Sequence, residues 1–411
     1  MSSTTSYLEA AKHWQLLDSW LHQHRPFWIA QPFTSQPDWT LHYPEMAAWL
    51  ENLGTADCEN FEQHPDQLCQ PLQAWLPALA DRSHLLELPL VGGKDCSLPE
   101  KYAKAMPGRK RLQAGALVGA LLPLPSPIFD WCSGSGHLAR TLAAQTQHPV
   151  LGLEKDIQLV NKGNQLAEAA GDAVRIQQQD VLAFKEAWPQ EPHGVALHAC
   201  GDLHRQLIKK AIQHRLPRLS FSPCCYHLIA ADSWQPLSQQ AKNSLLQGLD
   251  KSLLRLAVQE TVTAPERVAR QRDQLKTWRL GFDALQRQLF QQDQYLPLPS
   301  VSPRWLQGSF ADFCRWAAEH KGLQLPPQID FSEWEERGEK RLIQVQRHEL
   351  LRHLFRRPLE IWLVLDYVLA LEEAGYQVKL GHFCKRELTP RNLLIDAWLP
   401  EMKMARSQEQ A

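Results

Sequence analysis

IFDWCSGSGHLARTLA, residues 128–143, decides how the rest of the chain is read. It opens apolar (Ile128, Phe129), reaches an acid (Asp130), turns through Ser133-Gly134-Ser135-Gly136 and continues as a helical pattern. That order predicts a β-strand whose C-terminal end passes through a tight glycine turn into a helix N-terminus. Glycines there let backbone approach a ligand where a Cβ would collide. The free N–H groups of the first helical turn favour polar or anionic ligand atoms. A dinucleotide fold wants G-x-G-x-x-G; Gly134 and Gly136 fill two of those places and Ala139 the third. An ordinary strand–turn–helix without a ligand is the plain alternative.

With 411 residues the chain has room for two or three domains. Hydrophobic residues make up 44% and mean hydropathy is −0.39, as expected of a globular protein rather than a membrane one. The most apolar stretch, 112–129, is cut by Pro123, Pro125 and Pro127, too early for a membrane helix. Net charge is −1, but residues 1–100 hold 4 Lys and Arg against 13 Asp and Glu, leaving 40 against 32 beyond. An acidic N-terminal module able to recruit a protein is therefore expected beside a mildly basic body able to touch a polyanion such as RNA. Nine cysteines without a regular framework, and a start lacking a basic-then-apolar leader, point to a reducing, cytoplasmic setting.

Four segments are expected: a helical accessory module over 1–100, a first core part over 101–231, a helical insertion over 232–355 and the last core elements over 356–411. In the first, 7–21 sets Trp14, Leu17, Trp20 and Leu21 on one helical face, 43–53 starts a helix at its proline, and 71–79 is a third, interrupted by Pro77. After the glycine turn, strands and helices alternate as in a doubly wound sheet. Strands are expected at 150–156, from 173 to near Asp180, at 194–203 and at 218–228; a long helix over 356–376 precedes a final pair near 375–384 and 392–399.

Ligands of an open α/β sheet lie beyond the C-terminal ends of its strands. Those ends carry, in order, Asp130 with Gly134 and Gly136, then Glu154, Asp180, His198-Ala199-Cys200-Gly201-Asp202, and Pro223-Cys224-Cys225-Tyr226-His227. Strand-Asp-x-x-Ser-Gly-x-Gly resembles motif I of the class I S-adenosylmethionine (SAM)-dependent methyltransferases. Together with Leu197-His-Ala-Cys-Gly-Asp-Leu203 and Cys224-Cys-Tyr-His227, it resembles one branch of that family. The branch includes the methyltransferase domain of the glutathione S-transferase C-terminal-domain-containing protein and, more distantly, the tRNA 2′-O-methyltransferases. The resemblance covers about 100–230 and 350–400. It implies a Rossmann-like sheet, mostly parallel with an antiparallel last strand, that binds SAM. Asp130, Cys132, Ser133, Gly134 and Gly136 would line the methionine side, His198 would also contact the cofactor, Glu154 would take the ribose hydroxyls, and Asp180 with the Val181 N–H would hold the adenine amino group. Cys132 replaces the first glycine of the common motif, as it does across the branch.

His198, Asp202 and His227 are the candidates to receive a proton from a hydroxyl or amine acceptor. Cys224 or Cys225, with Cys200, could instead act as nucleophile on a pyrimidine. Convergence of His198-x-Cys200, Cys224-Cys225-x-His227 and His382-x-Cys384 on a metal is a third account, but the spacing is not that of a zinc knuckle; no metal is assigned. Small buried residues lining a tight pocket is the fourth. The Asp/Asn-Pro-Pro-Tyr/Phe loop of amino methyltransferases is absent. Gly108-Arg109-Lys110-Arg111, Arg386 and Arg391 are either solvated or contacts for substrate phosphate. The expected activity is SAM-dependent methyl transfer, with tRNA or rRNA as favoured acceptor, a protein or small molecule as the alternative, and a non-catalytic SAM-binding scaffold as a third possibility.

Overall fold

A computed structural model describes residues 7–103, 105–124, 127–183, 193–259 and 266–400. The chain divides into two compact units: one made of Met1–His22, His84–Val262 and Arg356–Ala411, the other of Gln23–Ser83 and Thr263–Phe355.

The first unit is built on seven strands: β1 (Ile128–Trp131), β2 (Val150–Glu154), β3 (Val174–Gln178), β4 (His193–Cys200), β5 (Arg218–Cys224), β6 (Gln377–His382) and β7 (Leu393–Trp398). Their order across the sheet is β3-β2-β1-β4-β5-β7-β6. The first five run parallel, whereas β7 lies antiparallel to both β5 and β6. This is the mostly parallel sheet with an antiparallel last strand that the family resemblance implies. β1 and β5 are buried along almost their whole length and β4 over its first four residues, as central strands covered on both faces are; the edge strand β3 buries only Ile176. Arg218 grips Asp396 through Nε (2.9 Å) and Nη2 (2.8 Å), which fixes the register of β7 on β5. The chain steps outward from β1 to β3 and then returns to lay β4 on the other side of β1. That reversal opens a crevice between β1 and β4 at the carboxyl edge.

The helices follow the sequence signals closely. Asp156 caps the helix Ile157–Ala170 by accepting from the Gln158 N–H, and Gly171, left-handed at φ 69°, stops it. The apolar stretch before β1 forms the helix Gly108–Leu121, whose Leu117, Val118 and Leu121 join the core under the sheet. Arg356–Glu373 is buried nearly all round, which accounts for its unusually apolar sequence.

The N-terminal hundred residues do not form one body. The helix Tyr7–Gln23 supplies Trp14 to stack on Trp362, with ring centroids 5.9 Å apart, and Asp18 to accept from Ser244 Oγ, the Leu245 N–H and Trp362 Nε1. From Gln23 on, the chain enters the second unit with Thr263–Phe355. There Arg352 Nε donates to the Trp28 carbonyl (3.0 Å) and Arg347 Nη2 to that of Leu53 (2.6 Å). The long helices Glu266–Phe290 and Phe331–His353 enclose a core of Trp278, Phe282, Phe310, Phe313 and Trp334. Pro71 ends up inside the helix Pro65–Leu72, and Pro77 opens a short 3₁₀ turn rather than interrupting a longer helix. Among the described residues no helix is long and apolar enough to cross a membrane.

Candidate active site at the strand ends

β1 hands the chain to a turn held from beneath. Asp130 is 1% exposed and accepts from Ser133 Oγ at 2.7 Å and from the Ala139 N–H. Ser133 N–H donates to the Leu153 carbonyl (2.8 Å), tying the turn to β2. Burial pushes the Asp130 carboxyl up to about 7, against the lowering effect of those hydrogen bonds. The acid therefore shapes the loop from below. Above it, Gly134 sits at φ 56°, and a Cβ there would meet nothing within 4 Å. Gly136, at φ 75°, starts the helix His137–Thr146.

Glu154, at the end of β2, is half-exposed and bridges two backbone amides. Its Oε2 accepts from Gly134 N–H (2.9 Å) and its Oε1 from Asp156 N–H (2.9 Å). Asp180 follows β3, takes the Leu182 N–H at 3.0 Å and pairs with Lys155 Nζ at 2.7 Å, which holds its carboxyl below the usual range. Val181 beside it is buried. Cys132, left-handed at φ 62°, has its thiol pushed well up by burial and by the nearby Glu154 and Asp130 carboxylates, so it stays protonated.

Across the crevice, β4 carries an irregularity. Leu197 pairs with Ser222, but Cys200 pairs with Cys224, so one extra residue is taken up between them. His198 lies in that bulge at φ 61°, a strained conformation for a residue with a Cβ. Its Nε2 donates to Gln113 Oε1 (3.3 Å), leaving the Nδ1 lone pair available. Burial, then the charges of Arg391 and Lys110, hold the imidazole down at about 4, so it is neutral at physiological pH. Gly201 follows at φ 53°, where a Cβ would lie 1.9 Å from the Leu228 carbonyl oxygen. Only glycine lets the 225–230 loop close over the end of β4.

The bulge brings three thiols together. Cys200 Sγ lies 3.3 Å from Cys224 Sγ, and those two with Cys225 keep all three sulfurs within 4.8 Å of one another. Cys225 is itself left-handed at φ 47°. Hydrogen bonds from Cys200 and Cys224 hold the Cys225 thiol low, helped by the charges of His227 and Arg391, while Cys224 is pushed up. The other two sequence candidates differ in freedom. Asp202 Oδ2 accepts the Ala230 N–H (2.7 Å) and faces Arg205, so it clamps the loop. His227 is half-buried, its imidazole lowered by burial, and its Nδ1 has no hydrogen-bond partner among the described residues. His382 and Cys384 do not join the thiol group, the only cluster of three potential metal ligands among the described residues.

Gln113, from the helix before β1, is the neighbour that sequence reasoning missed. Lys110 of the basic run 109–111 acts electrostatically on both His137 and His198. The other two members of that run are used elsewhere: Arg109 donates to the Glu387 carbonyl and Arg111 to that of Leu98. Tyr226 turns away from the edge and donates to Glu360.

A family described as a methyltransferase domain matches residues 124–232, which span β1 to the loop after β5. About a quarter of the chain, with the glycine turn and the ends of β4 and β5, is thus similar to a methyltransferase domain. A Drosophila pseudoobscura pseudoobscura protein, the glutathione S-transferase C-terminal domain-containing protein homolog, is 30% identical over 143 residues, 32% of this chain and 22% of its own length. The Mus musculus glutathione S-transferase C-terminal domain-containing protein is 30% identical over 164 residues, 38% of this chain and 25% of its own. The chain thus spans about a quarter of the length of these relatives. A Pyrococcus abyssi tRNA (uracil-54, C5)-methyltransferase, solved with S-adenosyl-L-homocysteine, shares 18% identity over 28% of this chain and 29% of its own, with a TM-score of 0.23. So slight a likeness adds nothing to the site.

Proposed function

We propose that this chain is a SAM-dependent methyltransferase that binds its cofactor across the ends of β1, β2 and β3 and presents the acceptor at the ends of β4 and β5. The observation that carries this is the shape of the first half. Open space above Gly134, a half-exposed Glu154 carboxylate anchored to the same loop, and Asp180 beside Val181 suit a methionine tail, a ribose diol and an adenine in sequence. Asp130 acts through the loop, by holding Ser133 and the helix start in place.

When bound, SAM supplies an electrophilic methyl group for in-line displacement from its sulfonium. The protein's share is to align the acceptor and take its proton. His198 suits proton acceptance because it is neutral and Gln113 fixes the ring's tautomer, with Nε2 donating and Nδ1 left as the acceptor. Asp202, already committed to Ala230 and Arg205, serves better as a clamp. RNA is the acceptor we favour, on the excess of basic residues beyond position 100, 40 against 32 acids.

Calorimetry with SAM and with NAD tests the cofactor. Binding of SAM alone, lost in Glu154→Ala, is expected; NAD binding, or no heat with SAM, overturns the reading. Transfer of labelled methyl from SAM to bulk tRNA and rRNA, compared with protein and small-molecule fractions, tests the acceptor. Label confined to the latter fractions removes RNA.

A further inference from the structure

Neighbouring residues of a strand point to opposite faces, so Cys224 and Cys225 would ordinarily diverge. Here the left-handed conformation of Cys225, φ 47°, brings its sulfur back beside that of Cys224. From the adjacent strand, the bulge at His198 carries Cys200 into register with Cys224. Two strained residues with side chains, His198 and Cys225, thus serve the same convergence. The result is a group of three sulfurs with a shortest separation of 3.3 Å and none beyond 4.8 Å. Thiolates about 2.3 Å from a tetrahedral ion sit roughly 3.8 Å apart, inside that range.

We propose that Cys200, Cys224 and Cys225 hold one zinc ion, with a fourth coordination position left for an exogenous ligand. Three sulfur donors select a thiophilic ion over magnesium or calcium. Three protein ligands with one open position is the pattern of zinc sites that act on a bound molecule rather than those that only hold a fold. A disulfide accounts for the cluster less well. It would join two of the three, strand the third sulfur, and require an oxidant. Binding releases the thiol protons to solvent as each sulfur becomes a ligand. His227 lies outside the 4.8 Å group, so the three sulfurs alone define the site. This inference does not depend on SAM binding, which concerns the other side of the crevice.

The test uses the full chain, reduced and stripped of metal under anaerobic conditions, and titrated with Co²⁺. An intense thiolate-to-cobalt charge-transfer band is expected, saturating at one ion per chain and bleached by Zn²⁺. Cys225→Ser should weaken it, and the triple Cys→Ser variant at 200, 224 and 225 should abolish it. No such band in the wild-type chain overturns the proposal, and that experiment needs no variant to fold. A band of undiminished intensity in the triple variant overturns it equally. SAM calorimetry on the same samples, expected unchanged in Cys225→Ser, keeps failure here separate from failure of the cofactor reading.

Discussion

Along the ends of β1, β2 and β3 the chemistry is carboxylate, and each acid already has a partner. Asp130 holds Ser133, Glu154 bridges the amides of Gly134 and Asp156, and Asp180 pairs with Lys155. Along the ends of β4 and β5 the chemistry is imidazole and thiol, on a bulged and left-handed backbone. His198 keeps a free nitrogen, His227 Nδ1 finds no partner among the described residues, and three sulfurs face one another. The acids of the first half are already held by partners, which suits binding a constant cofactor. The second holds strain and uncommitted donors, which suits reaction with a variable acceptor. The contrast teaches that binding and chemistry on this edge are carried by different strands and can be broken separately.

The largest expected separation comes from His198→Ala. Loss of a general base costs about 10²–10⁴ in turnover, a fall that should exceed any change in SAM affinity. Because burial and the cations around it hold His198 at about 4, the wild-type rate should rise with pH through that value and stay level above it. Rates measured from acid to neutral pH, with and without the substitution, check both statements. Turnover that survives the change intact removes the proton-accepting role.

Asp130→Asn probes the first half from below. A carboxyl raised to about 7 binds its proton more tightly in the folded chain than in the unfolded one. Its contribution is thus fully present at pH below the usual 3.8 and is lost as pH rises through about 7. Relative to the asparagine variant, wild type should lose up to about 4 kcal/mol between those limits, about three pKa units at 1.36 kcal/mol each. Asparagine can still accept from the Ala139 N–H and donate to the Ser133 hydroxyl, so the loop survives. Unfolding by denaturant at pH 4 and pH 8 reads the gap. A gap that does not change with pH would show that Asp130 is not held neutral by burial.

The two halves were not equally legible in the sequence. Strand ends, the glycine turn, Glu154 and Asp180 could be found because each follows a local signal: an apolar run, then a group at a fixed distance. The caps at Asp156 and Gly171 were local in the same sense. The sulfur cluster was legible only as one of several groupings of Cys200, Cys224 and Cys225, because its geometry depends on one extra residue in β4 and one left-handed residue after β5, and neither leaves a compositional trace. Gln113 reaches His198 from 85 positions earlier, a contact that no spacing rule predicts. Likewise the split of the first hundred residues rests on Asp18 and Trp14 meeting Ser244 and Trp362, far along the chain.

The smallest effect sharpens the same comparison at its outer edge. Asp180→Asn removes one acceptor for the adenine amino group, and a single hydrogen bond to an exposed site changes affinity by about three- to tenfold. Stability should stay where it is, since exposed ion pairs contribute little, and the Asp180–Lys155 pair is of that kind. Lys155 makes the test selective. Its ammonium, 2.7 Å from Asp180, competes for the carboxylate that adenine would use. Lys155→Ala should therefore leave SAM binding unchanged or tighten it, while Asp180→Asn weakens it, and rising salt should narrow the difference by loosening the pair. Calorimetry on the two variants decides between a carboxylate that meets the cofactor and an ion pair that merely closes the end of β3. If both substitutions weaken SAM equally, the pair acts as one structural unit, and adenine must be held by other groups of the first half.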